Sequence, residues 1–189
     1  MNKHDTDIGD GHGKSLLHCV CGDEALVSWA LENGARPDDP MLTDPYRCPP
    51  LLDTVARRGS VVSFKLLESK GARRGFRTLH SAVDTAFDGS ELRLEMVRYL
   101  VDDLNLDVNA LDAPEELPNH RGTPLCCAAR WSGGANENVV RFLLEKGADP
   151  RIRRTGHRSA TELAEFYHNQ GVLALLIEWE ANHQLIGAK

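Results

Sequence analysis

Apolar residues along the chain recur at helical spacing in paired short runs, most cleanly between Thr123 and Pro150. Leu125, Ala128 and Ala129 fall on one face at three- and four-residue steps, and Val139, Val140, Leu143 and Leu144 form a second stripe. Thr123-Pro124 reads as an N-cap followed by a first-turn residue that has no amide to orphan. Gly147 sits where a helix C-terminus favours a left-handed residue. The stretch therefore predicts two short antiparallel helices, and the two alanines are small enough to admit another helix closely. Such a pair cannot bury both stripes alone, so it must lie against a neighbouring pair.

The unit recurs with variations. Its openings begin at Ser15, Pro50, Arg77, Thr123 and Ser159, and second stripes follow near Leu26, Val61, Met96, Val139 and Val172. The run Thr123-Pro124-Leu125-Cys126-Cys127-Ala128-Ala129 and the ending Leu143-Leu144-Glu145-Lys146-Gly147-Ala148-Asp149 resemble the ankyrin repeat. That resemblance implies an all-α solenoid of stacked helix-turn-helix units with short β-hairpin fingers. The repeats are expected near 13–45, 46–73, 74–118, 119–154 and 155–182, with a mobile tail over 1–12 and a C-terminal tail over 183–189. Between Ala72 and Arg77 there is too little chain for a full finger, so a truncated one is expected there. An insertion is expected over Ala86 to Leu94, and Leu111 to Pro118 should project as a long acidic loop. Long loops on a regular scaffold are where specificity tends to reside.

Composition narrows the function classes. With 28 acidic against 22 basic side chains the formal charge is -6, which disfavours a nucleic-acid binder. No apolar run reaches the length of a membrane span, and Met1 to Asp10 has no apolar signal core. An intracellular protein, cytoplasmic or nuclear, is expected, with its five cysteines reduced and buried. The run Gly9 to Ser15 imitates a phosphate-binding loop, but Ile8 stands where the first glycine is required and no strand precedes it. Ser15 reads better as the cap of the first helix. Cys19 with Cys21, and Cys126 with Cys127, diverge on their helices and form no four-ligand zinc shell, so neither metal nor cofactor is expected.

Resemblance to the family gives His18 and His80 a structural role in holding the opening turn. Asp53 occupies the same position in the second unit, where it should cap or hydrogen-bond the turn. In ankyrin proteins the residues before the opening motif, and the pair after its small residues, line the concave face. Here those positions are Tyr46, Arg47, Arg57, Arg58, Arg73, Arg74, Phe76, Asp84, His120, Arg121, Arg130, Trp131 and Phe166. Any single arginine among them reads as a solvated turn residue. Together they gather arginine and aromatics onto one expected surface of an acidic protein, and these types anchor interfaces. The expected partner is another protein, through an acidic or phosphorylated segment, and the expected role is that of an adaptor or stoichiometric inhibitor. A rival reading is a small-molecule enzyme or ligand-binding protein with Asp53, Arg57, Arg74, Asp84, Phe87 and Trp131 in an inter-repeat groove. No catalytic motif spans those residues. Asp107-Val108-Asn109 also resembles the turn whose asparagine is hydroxylated in some ankyrin proteins.

Overall fold

The computed structural model describes residues 15–37, 49–85, 91–112, 122–131 and 136–184. These residues are helical, with no strand among them, and the chain divides into two compact units, Met1–Ala82 and Val83–Lys189. The first unit holds α1 (Leu16–Val20), α2 (Glu24–Glu32), α3 (Leu51–Arg58) and α4 (Val61–Ser69), and α5 (Thr78–Asp84) follows. The second holds α6 (Glu91–Arg98), α7 (Pro124–Ala129), α8 (Glu137–Glu145), α9 (Ala160–Phe166) and α10 (Gln170–Gln184).

In the first unit α1 packs on α3 and α2 on α4, while in the second α7 packs on α9 and α8 on α10. First helices thus stack on first helices and second on second. This arrangement buries the stripes that each pair leaves open: Leu17, Val27, Leu52, Val55, Phe64 and Leu67 are fully buried in one unit. In the other, Met96, Leu100, Leu143 and Leu176 are fully buried and Leu175 retains only 8% exposure. Each such side chain contributes about 1.5–3 kcal/mol relative to leaving it in water.

Local chemistry sets the helix ends. Ser60 Oγ, Thr123 Oγ1 and Ser159 Oγ each accept the backbone N–H three residues on, and Glu162 returns the favour to the Ser159 N–H at 2.7 Å as a capping box. Ser15 precedes α1 without capping it, because its hydroxyl is bonded to His18 Nδ1 at 2.8 Å. At the C-terminal ends, Gly34, Gly71 and Gly147 have φ of 92°, 95° and 87°. The N–H of the alanine after each reaches back five residues, to Ala30, Leu67 and Leu143, closing a Schellman turn.

The pair after α6 ends differently. Compared with Phe142 to Ala148, the segment Tyr99 to Leu106 carries one extra residue. That residue is absorbed as a π-helical turn over Tyr99–Asp103, with Leu104 N–H bonded to Tyr99 O at 3.2 Å. Asn105, at φ 53°, takes the place of the glycine, and Leu106 N–H spans six residues to Leu100 O.

Where finger segments are described they are turns and not paired strands: residues 147–159 carry only turns and bends. The expected tail 1–12, residues 86–90 of the insertion expected within Ala86 to Leu94, and residues 113–118 of the acidic loop expected over Leu111 to Pro118 lie outside the described residues, whereas 91–94 open α6. α10 continues through Gln184.

Candidate functional site

In the second unit the chain leaves α7 at Arg130 and Trp131. Trp131 is 42% exposed yet fixed from both ends. Its indole Nε1–H donates to Asp84 Oδ1 at 3.1 Å. Its carbonyl accepts from Asn136 Nδ2 at 3.2 Å and Asn169 Nδ2 at 2.7 Å. Asn136 also donates to Ala128 O at 3.0 Å, and the Asn169 Oδ1 accepts from Val172 N–H, so both amides are themselves held. Asp84, which the sequence places among exposed contact residues, is buried and bonded to the tryptophan. Phe166, at the end of α9, is 54% exposed, and the Arg158 guanidinium lies 4.1 Å from its ring centroid.

Beside Phe166 the turn Arg153 to Arg158 contributes to two cavities. One, of about 910 Å³, is open and lined by Arg153, Glu162, Glu165 and Phe166 together with the turn. The other, of about 400 Å³, is lined among the described residues by Gly122, Arg130, Arg154, Gly156, His157, Arg158 and Leu163. Arg153 Nη1 reaches both oxygens of Glu162 at 3.0 Å. The Ser159 N–H and Arg153 hold the Glu162 carboxyl below its ordinary range. Sequence reasoning passed over Arg153, Arg154 and Arg158; their signal was the run Arg151 to Arg158, which carries four arginines around Gly156.

Asn109 ties its turn to the next one: its Nδ2 donates to Gly147 O at 3.0 Å and its Oδ1 accepts from Asp149 N–H at 2.9 Å. Asp149 in turn grips Arg151 through two side-chain bonds of 2.8 Å, which lowers its pKa. Both sides of the Asn109 amide are therefore engaged in structure.

In the first unit Arg57 and Arg58 are exposed in the last turn of α3, and Arg73, Arg74 and Phe76 are exposed in the shortened finger. Arg74 is paired with Glu68 at 3.2 Å. At two of the expected turn-holding positions, His18 and Asp53, the bonds are seen. His18 Nε2 lies 3.1 Å from Pro49 O, which makes Nε2 the protonated nitrogen and leaves Nδ1 to accept from Ser15. Asp53 inverts that polarity, since its Oδ1 accepts the Gly75 N–H at 2.9 Å and the Thr78 hydroxyl. Burial pushes its carboxyl above the ordinary carboxylate range, against the opposing effect of those bonds. A shortened finger makes the exchange possible by bringing a backbone amide where His18 meets a carbonyl.

Residues 121–155 match the family model described as ankyrin repeat. A protein of Acanthamoeba polyphaga mimivirus, named as an ankyrin repeat protein, is 28% identical over 86 residues, covering 46% of this chain and 51% of that one. The chain therefore spans about half the length of the curated relative it matches. Residues 121–155 thus form an ankyrin repeat. Ankyrin repeats generally mediate protein–protein interaction.

Of the expected ankyrin contact residues, Tyr46, Arg47, His120 and Arg121 lie outside the described residues, as does Phe87 of the rival set. Arg57, Arg58, Arg73, Arg74, Phe76, Trp131 and Phe166 are exposed, Arg130 is half-buried and Asp84 is buried. Among the described residues of the rival enzyme set, Asp53 is buried in the Gly75–Thr78 turn, Arg74 is paired with Glu68, and Asp84 holds Trp131. Cys21, Cys126 and Cys127 are buried thiols, with burial pushing Cys126 up, while Cys19 is exposed on α1. Among the described residues no group of three or more His, Cys, Asp or Glu is placed to hold a metal ion. No described helix is long and apolar enough to cross a membrane.

Proposed function

We propose that this protein acts as an intracellular adaptor or stoichiometric inhibitor, gripping an acidic or phosphorylated segment of another protein through side chains at the ends of its first helices. Those side chains are Arg57 and Arg58 in one unit and Arg130, Trp131 and Phe166 in the other. The observation that carries the reading is Trp131, a large ring left 42% exposed while its indole and carbonyl are both clamped. An aromatic surface already fixed in one geometry loses little side-chain entropy on binding, which is what an interface anchor requires. Arginine supplies the complementary charge, because its planar fork matches carboxylate and phosphate oxygens in pairs.

The test is affinity capture from cell extract with wild type, Arg57→Glu/Arg58→Glu and Trp131→Ala, each confirmed as folded by circular dichroism. Loss of the same captured protein in both variants is expected, with Trp131→Ala weakening the complex by about 1–4 kcal/mol. Equal recovery by all three would remove these residues from the interface.

A further inference from the structure

We propose that the outer side of the first helix pair, formed by Leu16, Val20, Leu26 and Trp29, binds an amphipathic helix of a partner protein whose polar face is basic. The inference goes beyond the reading above, since it concerns a different surface with the opposite charge preference.

Equivalent positions in the other pairs define this surface. The third and sixth residues of α4, α8 and α10 are Ser63 and Leu66, Val139 and Phe142, and Val172 and Leu175. Each of these helices packs against an earlier second helix, α2, α6 and α8 in turn, and the residues are buried or half-buried. In α2 the same positions hold Leu26 and Trp29, and no second helix precedes α2 among the described residues. They are 46% and 45% exposed. The first helices repeat the contrast. Their first and fifth residues are buried in α3 (Leu51, Val55), α7 (Pro124, Ala128) and α9 (Ala160, Ala164), whereas Leu16 and Val20 of α1 are only half-buried. A terminal repeat ordinarily turns a polar face to water. This one turns out the apolar stripe that elsewhere receives a helix, so a helix laid along α2 is the shape it fits.

Charge decides which helix. Residues 15–35, the whole of the first pair, hold Asp23, Glu24 and Glu32 and no lysine or arginine. Asp23 caps α2 and Glu24 accepts the Ser60 hydroxyl, while the exposed Glu32 carboxylate has no ion pair among the described residues. Lys70 shares a cleft with Glu32 but forms no ion pair with it. A helix with apolar residues at i, i+3, i+4 and i+7 and lysine or arginine beside them covers Leu26 and Trp29 and brings cations to Asp23 and Glu32, which bracket the strip at the two ends of α2. A second copy of this chain is the poorer occupant, because its own α2 sets the same carboxylates against these. Residues 1–14 hold Met1 and Ile8 as their only large apolar side chains, too few to match the strip.

The experiment follows the indole Nε1–H signals of Trp29, Trp131 and Trp179 in the full chain by NMR. The probes are a designed peptide with leucine at helical spacing and lysine elsewhere, the same peptide with glutamate for lysine, and a scrambled sequence of the first. The lysine peptide should shift the Trp29 signal saturably and leave Trp131 and Trp179 unmoved, and the other two peptides should not shift it. Leu26→Asp should abolish the response and Glu32→Lys should weaken it about two- to fivefold, with circular dichroism confirming that both variants fold. An equal response to the glutamate or scrambled peptide, a response at Trp131 or Trp179 in place of Trp29, or a titration unchanged in Leu26→Asp overturns the proposal. Sedimentation that shows the full chain self-associating, and Leu26→Asp monomeric, also overturns it, because a second copy then fills the strip. None of these outcomes alters the capture test of Arg57, Arg58 and Trp131, so the two readings fail separately.

Discussion

Gly75 lies against the Asp53 carboxylate, and replacing it with alanine examines the Asp53 turn directly. A Cβ on residue 75 would stand 2.3 Å from Asp53 Oδ2, 2.9 Å from its Cγ and 2.9 Å from Pro50 Cγ. The carboxylate cannot swing aside without abandoning the Gly75 N–H and the Thr78 hydroxyl. Overpacking of this kind costs about 1–3 kcal/mol. Breaking a hydrogen bond to a charged group adds about 1.5–3 kcal/mol, so Gly75→Ala should destabilise the protein by about 2–4 kcal/mol if one relaxation partly spares the other. Asp53→Ala alone orphans the Gly75 N–H and should cost about 1–3 kcal/mol; Thr78 retains Gly75 O as an acceptor at 3.0 Å. In the double variant the alanine methyl enters the space the carboxylate has left. Its cost should therefore fall short of the sum of the single costs by about 1 kcal/mol or more. Urea unfolding of the four proteins, followed by circular dichroism and tryptophan fluorescence, measures the cycle. Costs that add within about 0.5 kcal/mol would refute the contact.

The pH dependence of the same site has a definite sign. Because the folded pKa of Asp53 is raised, the unfolded chain releases its proton first as pH rises. The stability of wild type relative to Asp53→Asn should thus be greatest below the ordinary carboxylate pKa and fall until the raised folded value is passed. A gap that widens with pH in urea unfolding would be the wrong sign. Asn105→Gly should stabilise by about 0.5–1 kcal/mol, since glycine adopts its left-handed φ without strain; a lower melting temperature would show that the Asn105 side chain matters there. Asn109→Asp, which loses the donor to Gly147 O, should destabilise by about 1 kcal/mol in thermal melts, and an unchanged melt would make that bond incidental. Ser159→Ala removes the capping box and should cost about 1 kcal/mol in the same measurement.

Local signals were the legible ones. Thr123-Pro124 and Ser159 mark helix starts because capping is decided within four residues, and Gly147 marks an end because only a left-handed residue closes that turn. The π-helical turn was hidden, since one extra residue after Tyr99 could have entered a loop as easily as a helix. Asp84 looked like a solvent-facing residue by its place in the repeat, and its burial depends on Trp131, 47 positions away. Asp53 was readable as a turn-bonding residue, but its partner at Gly75 was not, because the pairing depends on how a shortened finger folds back. The arginines around Gly156 were passed over, because only the placement of Arg130 beside them turns the run into a cavity wall.

Hydrogen–deuterium exchange on the chain with and without its captured partner places the binding surface without presupposing any side chain. Protection should concentrate at residues 57–58, 130–131, 153–158 and 166, at the ends of the first helices and in the neighbouring turn. Protection confined to the exposed sides of α2, α4, α8 and α10 would contradict the assignment.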